Sequence, residues 1–293
     1  MAPRKRLTPI HFFSHGSPMM LIETTESSEY WRRCGEEALA SNIKGIIIMS
    51  AHWTNHTPNT ISIATNPDPK LLPIPFVPPT TLTESPLTPD LPTATRCAHL
   101  LRTAGIAIHQ DSTYNWIHDT YQILLKMFPP LLKGGDSGAS CPPVTVLSTN
   151  AHFDPYFHLR IGITLRPLRH ENYLLIGTGG AVHNLYRNRW GPMLRYQDTL
   201  AMETPPEPWA LEFRTAVEDA LTKTSGPRLR RAVTRLMKHP LYREAHATDE
   251  HFMPAVFVAG AAGDWEDEDA QAVMGAETWE LTNMCNSQFT VGC

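Results

Sequence analysis

No run of apolar residues in this chain of 293 approaches the roughly 18 that a membrane-spanning helix needs. The basic opening MAPRKRLTPI is followed by no apolar core of a secretory leader, so a cytoplasmic protein with no membrane partner is expected. Cysteine is scarce. Cys34, Cys97, Cys141, Cys285 and Cys293 are odd in number, widely spaced and form no C-x-x-C pair, which argues against a disulfide framework or a cysteine zinc knuckle and leaves isolated thiols. Excess positive charge is missing too: a net charge of −4 and a pI near 6.4 give no footprint for nucleic acid. Coiled-coil heptads and internal repeats are also lacking, so a monomer and a small homo-oligomer fit equally.

What the chain does contain is enough apolar residue, 42% against 18% charged, to build a large core. Its length lies within the reach of one α/β domain, and a single domain over residues 1–293 is expected. Four short apolar runs, Ile10–Phe13, Gly45–Met49, Val144–Leu147 and Tyr173–Ile176, are β-branched, lack strict alternation and end at polar or glycine-containing turns, the pattern of strands buried on both faces. Apolar residues at helical spacing predict helices over Ser28–Leu39, Ala94–Thr103, Tyr121–Leu132, Pro208–Lys223 and Leu229–Lys238. In the last of these, Arg228, Arg230, Arg231 and Arg235 read as a solvated outer face, and the later chain as a whole reads as mostly helical. Strands alternating with helices imply an α/β fold with a central, mostly parallel or mixed sheet flanked by helices. Residues 67–92 carry nine prolines and are incompatible with a regular helix or central strand. They read as an ordered loop or lid, and Gly134–Ser140 as a flexible surface turn.

Histidine is plentiful, with 14 copies, and the informative ones follow the strands. The first strand runs into Ser-His15-Gly-Ser-Pro, the second into Ser-Ala-His52-Trp, the third into Thr-Asn150-Ala-His152 and the fourth into Gly-Thr-Gly-Gly-Ala-Val-His183-Asn. Open α/β sheets bind ligands at strand carboxyl ends, so these imidazoles are placed to converge on one crevice, and imidazole suits iron or zinc. A further histidine stands in His246-Ala-Thr-Asp-Glu250-His251-Phe-Met-Pro, where capping by Thr248 or Asp249 would put Glu250 and His251 in the first turn of a helix running to Ala262. A lone histidine is more often structural. That reading is assigned to His11, His56, His99, His109, His158, His170 and His239, while His152 and His246 lie close to motif positions.

HGSPMM near the start, SAHW, GTGGAVHNL and HATDEHFMPAVFVAGAAGD near the end resemble, in order and spacing, the class III extradiol ring-cleavage dioxygenases, and most closely the 4,5-DOPA dioxygenase branch. The resemblance implies that His15 and His52 bind the metal, with His251 as third ligand and Glu250 as its rival there. It implies that His183 acts as acid/base and approaches a fourth metal position, and that His118 lines the oxygen and substrate side. Ferrous iron would be the active metal, with zinc able to occupy the site, and the partners would be a catechol-type molecule and O2. Two departures stand out. The Asp-Phe-Tyr-Gly-Phe-Pro-like segment that usually follows the second histidine is replaced by the proline-rich stretch, which points to a larger or differently substituted ring, of the kind found in secondary metabolism. Around His118 the usual Asp-His-Gly reads Ile-His-Asp, and Asp119 either orients the imidazole or faces solvent. Two other readings stay open: a zinc-dependent hydrolase on the same histidines, and a non-catalytic binding protein on the same scaffold.

Overall fold

The computed structural model describes residues 7–78, 87–129 and 140–292. The four predicted strands are all present and longer than their apolar runs: β1 (Ile10–Ser14), β2 (Gly45–Asn55), β5 (Val144–Asn150) and β6 (Tyr173–Gly179). Four more strands join them: β3 (Thr60–Ala64), β4 (Ala107–Asp111), β7 (Ala272–Glu280) and β8 (Met284–Val291). Together they make one mixed sheet in the order β4-β3-β5-β2-β6-β1-β8-β7. Its centre, β5-β2-β6-β1, is parallel, while β8 runs antiparallel to β1 and to β7.

The sheet is packed on both faces because successive residues of its strands point opposite ways. Ile46 and Ile48 of β2 face one side with Phe13, Leu174 and Ile176, whereas Ile47 and Met49 face the other with Phe12 and Leu175. The first side is covered by α1 (Glu26–Ala40) and α3 (His118–Met127), the second by α2 (Leu91–Thr103), α4 (Pro155–Leu165), α6 (Pro208–Thr222), α7 (Gly226–Leu236) and α9 (Met253–Ala262). Two short helices, α5 (Trp190–Tyr196) and α8 (Tyr242–Ala245), lie in the connection after β6. Every residue of α9 is buried, so this helix has no polar face to orient it. It is placed instead by a close crossing with α4, where Gly162 and Gly260 leave no room for a Cβ against the partner's backbone.

Several expectations are corrected. The mostly helical later chain ends in the β7–β8 hairpin. β8 escapes an apolar pattern because its buried polar side chains are paired: Gln288 accepts from Trp31 Nε1 (2.8 Å) and donates to the Ser14 carbonyl (2.9 Å). The first helix begins at Glu26, capped by Thr25. The helix expected over Tyr121–Leu132 runs from His118 to Met127, ahead of Pro129 and Pro130. Leu131, Leu132 and, apart from Ser140, the expected Gly134–Ser140 turn lie outside the described residues. His251 precedes α9 in a turn rather than sitting in its first helical turn. The proline-rich stretch is tied at both ends, with Leu72 N–H donating to the Trp116 carbonyl and Val144 N–H to the Thr88 carbonyl (both 2.9 Å). Residues 79–86 lie outside the described residues.

Candidate active site

β1 and β6 are neighbours and end at one level, since Ser14 pairs with Gly179, while Thr178 pairs with Ser50 of β2, which runs on to Asn55. His15, just past β1, therefore meets His52, which lies inside β2 rather than past its end as expected from the apolar run. At the first end, Gly16 adopts φ +68°, a left-handed turn open to glycine. The turn is held by Gln122 Nε2, which donates to the His15 and Ser17 carbonyls, and by buried Glu280, which accepts from Ser17 N (2.8 Å) and Ser17 Oγ. Around His52, within β2, the β2–β5 register shifts between Met49 and Thr54, a local irregularity of the sort that re-aims a side chain. Its freed donors are collected by one atom: Asp119 Oδ2 accepts from Ser50 Oγ (2.8 Å), Ala51 N (2.8 Å) and His52 N (3.3 Å). Asp119 is fully buried, so it does not face solvent, and burial pushes its carboxyl up to about 6 against the pull of His118 and these donors.

The imidazoles of His15, His52 and His251 converge, with His52 Nε2 lying 3.2 Å from His15 Nε2 and 3.1 Å from His251 Nε2. The surroundings settle two of the three tautomers. Thr178 Oγ1 gives its proton to the Asp119 carbonyl (2.8 Å), so it accepts from His15 Nδ1–H (3.1 Å). The Glu250 carboxylate accepts from His251 Nδ1–H (3.3 Å). Both Nε2 atoms consequently present lone pairs to His52, whose single remaining N–H can satisfy at most one. A cation is the partner this arrangement calls for. Nitrogens bound at about 2.1 Å around a tetrahedral ion stand roughly 3.4 Å apart, so the spacing fits. The imidazoles are also neutral, as ligands must be: burial and the neighbouring rings hold His15 and His251 well below the usual histidine range, and burial lowers His52 to about 4 even though its ring opens to the cavity. Glu250 stands behind His251, also bonded to Thr248, and is not one of the converging donors.

His183 and His118 flank this set. His183 stacks on His251 with ring centroids 3.6 Å apart and planes at 10°, and its backbone N–H is held by the Ala245 carbonyl. His118, the first residue of α3, lies 4.4 Å from His52 and 5.8 Å from His15, centroid to centroid. Among the described residues neither ring is hydrogen-bonded, and burial keeps both neutral, lowering His118 to about 4. His152 is exposed and takes no part, because Asn150 Nδ2 ties the end of β5 to the Asn55, Thr57 and Thr60 carbonyls instead. His246 is a core residue, packed on Tyr242, Phe213 and Phe252, with Nε2 bonded to the Ala181 carbonyl. The histidines open into a cavity of about 720 Å³ whose wall includes Met19, Phe76, Leu185, Trp190, Met193 and Met284.

Sequence reasoning missed the positioning residues Thr178, Glu280 and Gln122, and most of this wall. Asp119 carried a signal, standing beside His118 at a helix start. The others had none, since their roles depend on neighbours distant in sequence.

Over residues 9–290 the chain matches the family described as the catalytic LigB subunit of aromatic ring-opening dioxygenase. It is 28% identical to 4,5-DOPA dioxygenase extradiol of Beta vulgaris, covering 96% of this chain and 95% of that protein. It is 26% identical to the protein of the same name in Escherichia coli K12, over 89% and 86%, and 29% identical to dioxygenase tasH of Hapsidospora irregularis, over 76% and 65%. Among solved structures, an uncharacterized Escherichia coli K12 protein superposes with a TM-score of 0.74 at 23% identity, over 97% and 99% of the two chains.

Proposed function

The chain belongs to the family of the catalytic LigB subunit of aromatic ring-opening dioxygenases, and on that premise we propose that it opens a catechol-type ring with O2 at a ferrous centre held by His15, His52 and His251. The observation that carries this reading is the set of three neutral imidazoles, His15 and His251 buried and His52 open to the cavity, with two Nε2 lone pairs fixed toward a common point by Thr178 and Glu250. Three neutral protein ligands leave positions open for small molecules. When bound, ferrous iron supplies the one-electron chemistry that joins a catecholate to dioxygen without an external reductant.

The protein's own part is proton handling and orientation. His183 stacks beside His251 at the cavity wall and, being neutral, takes a proton from a ring hydroxyl and returns it as the ring opens. Its closeness to His251 also suits it to the fourth metal position when no substrate is present. His118 faces the set from the α3 side and donates to the oxygen-derived group, and Asp119 keeps His52 aimed. We read residues 1–293 as one catalytic domain acting in the cytoplasm, with the proline-rich stretch contributing Phe76 to a wall wide enough for an aromatic of secondary metabolism.

The test is oxygen uptake by protein reconstituted anaerobically with ferrous iron, offered a catechol panel that includes DOPA, with zinc-loaded protein as control. Iron-dependent uptake with a coloured ring-opened product is expected. Uptake that is equal with zinc, or absent across the panel, refutes the reading. His183→Ala should keep its metal and lose roughly 10²- to 10⁴-fold in turnover, measured as metal content against kcat on the same sample.

A further inference from the structure

The cavity beside the histidines is larger than one ring requires and carries an unusual balance of charge. Its volume of about 720 Å³ would hold roughly two dozen waters at about 30 Å³ each, well beyond a catechol. Apart from the histidines, Glu250 is the one ionisable acidic or basic side chain, tyrosine aside, among the described residues of the lining, which contain no lysine or arginine. The arginines of the nearby segments are engaged elsewhere: Arg187 with Glu207 and Glu244, Arg189 with Glu207, Arg195 with Glu203 and Arg243 with Asp249.

The serine and threonine hydroxyls of the wall are committed as well. Ser17 donates to Glu280, Thr199 to Glu23 and Thr248 to Glu250. Three carboxylates thus back the wall, their donors already used, and an anionic substituent would meet neither a cation nor a free hydroxyl from these residues. Apart from the hydroxyl of Tyr186, a residue 87% exposed, the rest of the wall is apolar and unusually open, with Phe76 67%, Leu185 46% and Trp190 42% exposed. Large apolar side chains gathered at a cavity mouth mark a surface meant to be covered.

Resting on the dioxygenase reading above, we infer that the substrate is an uncharged catechol bearing an extended apolar substituent, which lies along Phe76, Leu185, Trp190 and Met193 while the diol faces the histidines. A catechol that carries a carboxylate on its side chain is disfavoured by the carboxylates behind the wall.

The test uses the full chain, loaded with ferrous iron, and a matched series: 4-methyl-, 4-propyl- and 4-pentylcatechol, 3-(3,4-dihydroxyphenyl)propionic acid, its methyl ester, and dopamine. We expect kcat/KM from oxygen uptake to rise about three- to fourfold per methylene, and the ester to exceed its acid at least tenfold. Leu185→Arg, with Met193→Arg as a second variant should the first misfold, is expected to reverse the ester-to-acid preference. An acid or an amine that matches or outperforms the ester on the native protein overturns the inference. If no compound consumes oxygen, the dioxygenase reading fails, and anaerobic calorimetric titration of the same series decides the substrate class by itself. Tighter binding of the ester than of the acid and the amine then supports it, and the reverse order overturns it.

Discussion

Replacing Gly179 with alanine tests whether the end of β6 sets the position of His251. Gly179 is the last residue of β6, and its carbonyl accepts from His15 N (3.1 Å) while the next amide, Gly180 N, donates to the His251 carbonyl (3.0 Å). A Cβ built at residue 179 would fall well inside 3.0 Å of the His251 carbonyl oxygen and 3.3 Å from Pro254 Cγ, closer to that oxygen than real Cβ atoms come. The close contact is backbone and the other is a proline ring, which leaves no flexible side-chain end to yield, so the His251 turn must retreat by roughly 1 Å, about twice the 0.5 Å within which a metal constellation must be held. Overpacking of this kind costs about 1–3 kcal/mol, which for a chain of this length lowers Tm by roughly 2–5 °C. Misplacement at the site should cost about 100-fold in turnover. The assays are calorimetric Tm, metal content after dialysis and oxygen uptake. Gly191→Ala is the control, because an added Cβ there meets nothing within 4 Å. A Gly179→Ala protein with native metal content and turnover would refute the reasoning, and a lower Tm with both retained would reduce the glycine to a packing role.

Asp119→Ala strands three donors at the β2 irregularity and should cost roughly 2–4 kcal/mol in urea unfolding, whereas Asp119→Asn keeps an acceptor and should lose less than half of that; equal stability of the alanine variant would exclude the role. Thr178→Val removes the acceptor of His15 Nδ1–H and is expected to weaken metal binding about 10- to 100-fold, with Thr178→Ser restoring it in a chelator competition. His158 is fully buried with both ring nitrogens used, accepting from Asn150 N and donating to the Asp154 carbonyl, and burial holds it at about 4 against 6.5. Its folded pKa being the lower one, stability is complete above pH 6.5 and falls as the pH drops toward 4, by roughly 2 kcal/mol at pH 5 from this residue. His158→Gln should flatten the change in urea midpoint between pH 7.5 and 5, and an unchanged slope would count against the assignment.

The reach of sequence reasoning can be followed strand by strand. β2 and β6 were legible because the centre of a parallel sheet is apolar on both faces, so GIIIM and YLLI announce themselves. β4, reading AIHQD on the exposed edge, and β8, reading MCNSQFTV, carry no such mark. In β8 the buried polar groups are paired with β1 and α1, which no local window contains.

The same division holds at the site. That His15 and His183 follow strand ends, and that His52 follows the apolar run of β2, was determined by sequence alone, because glycine turns and apolar runs are local properties of the chain. That they meet, and that His152 does not join them, was decided by strand order: β1, β6 and β2 lie side by side, while Asn150 binds the end of β5 to the β2–β3 connection. His251 entered the set because α9 is wedged against α4 and β6 at Gly162, Gly177, Gly179 and Gly260. The tautomers of His15 and His251 depend on Thr178 and Glu250. Periodicity records which residues are buried, but hydrogen-bond partners and metal-ligand geometry depend on distances between segments, and those exist only once the sheet has assembled.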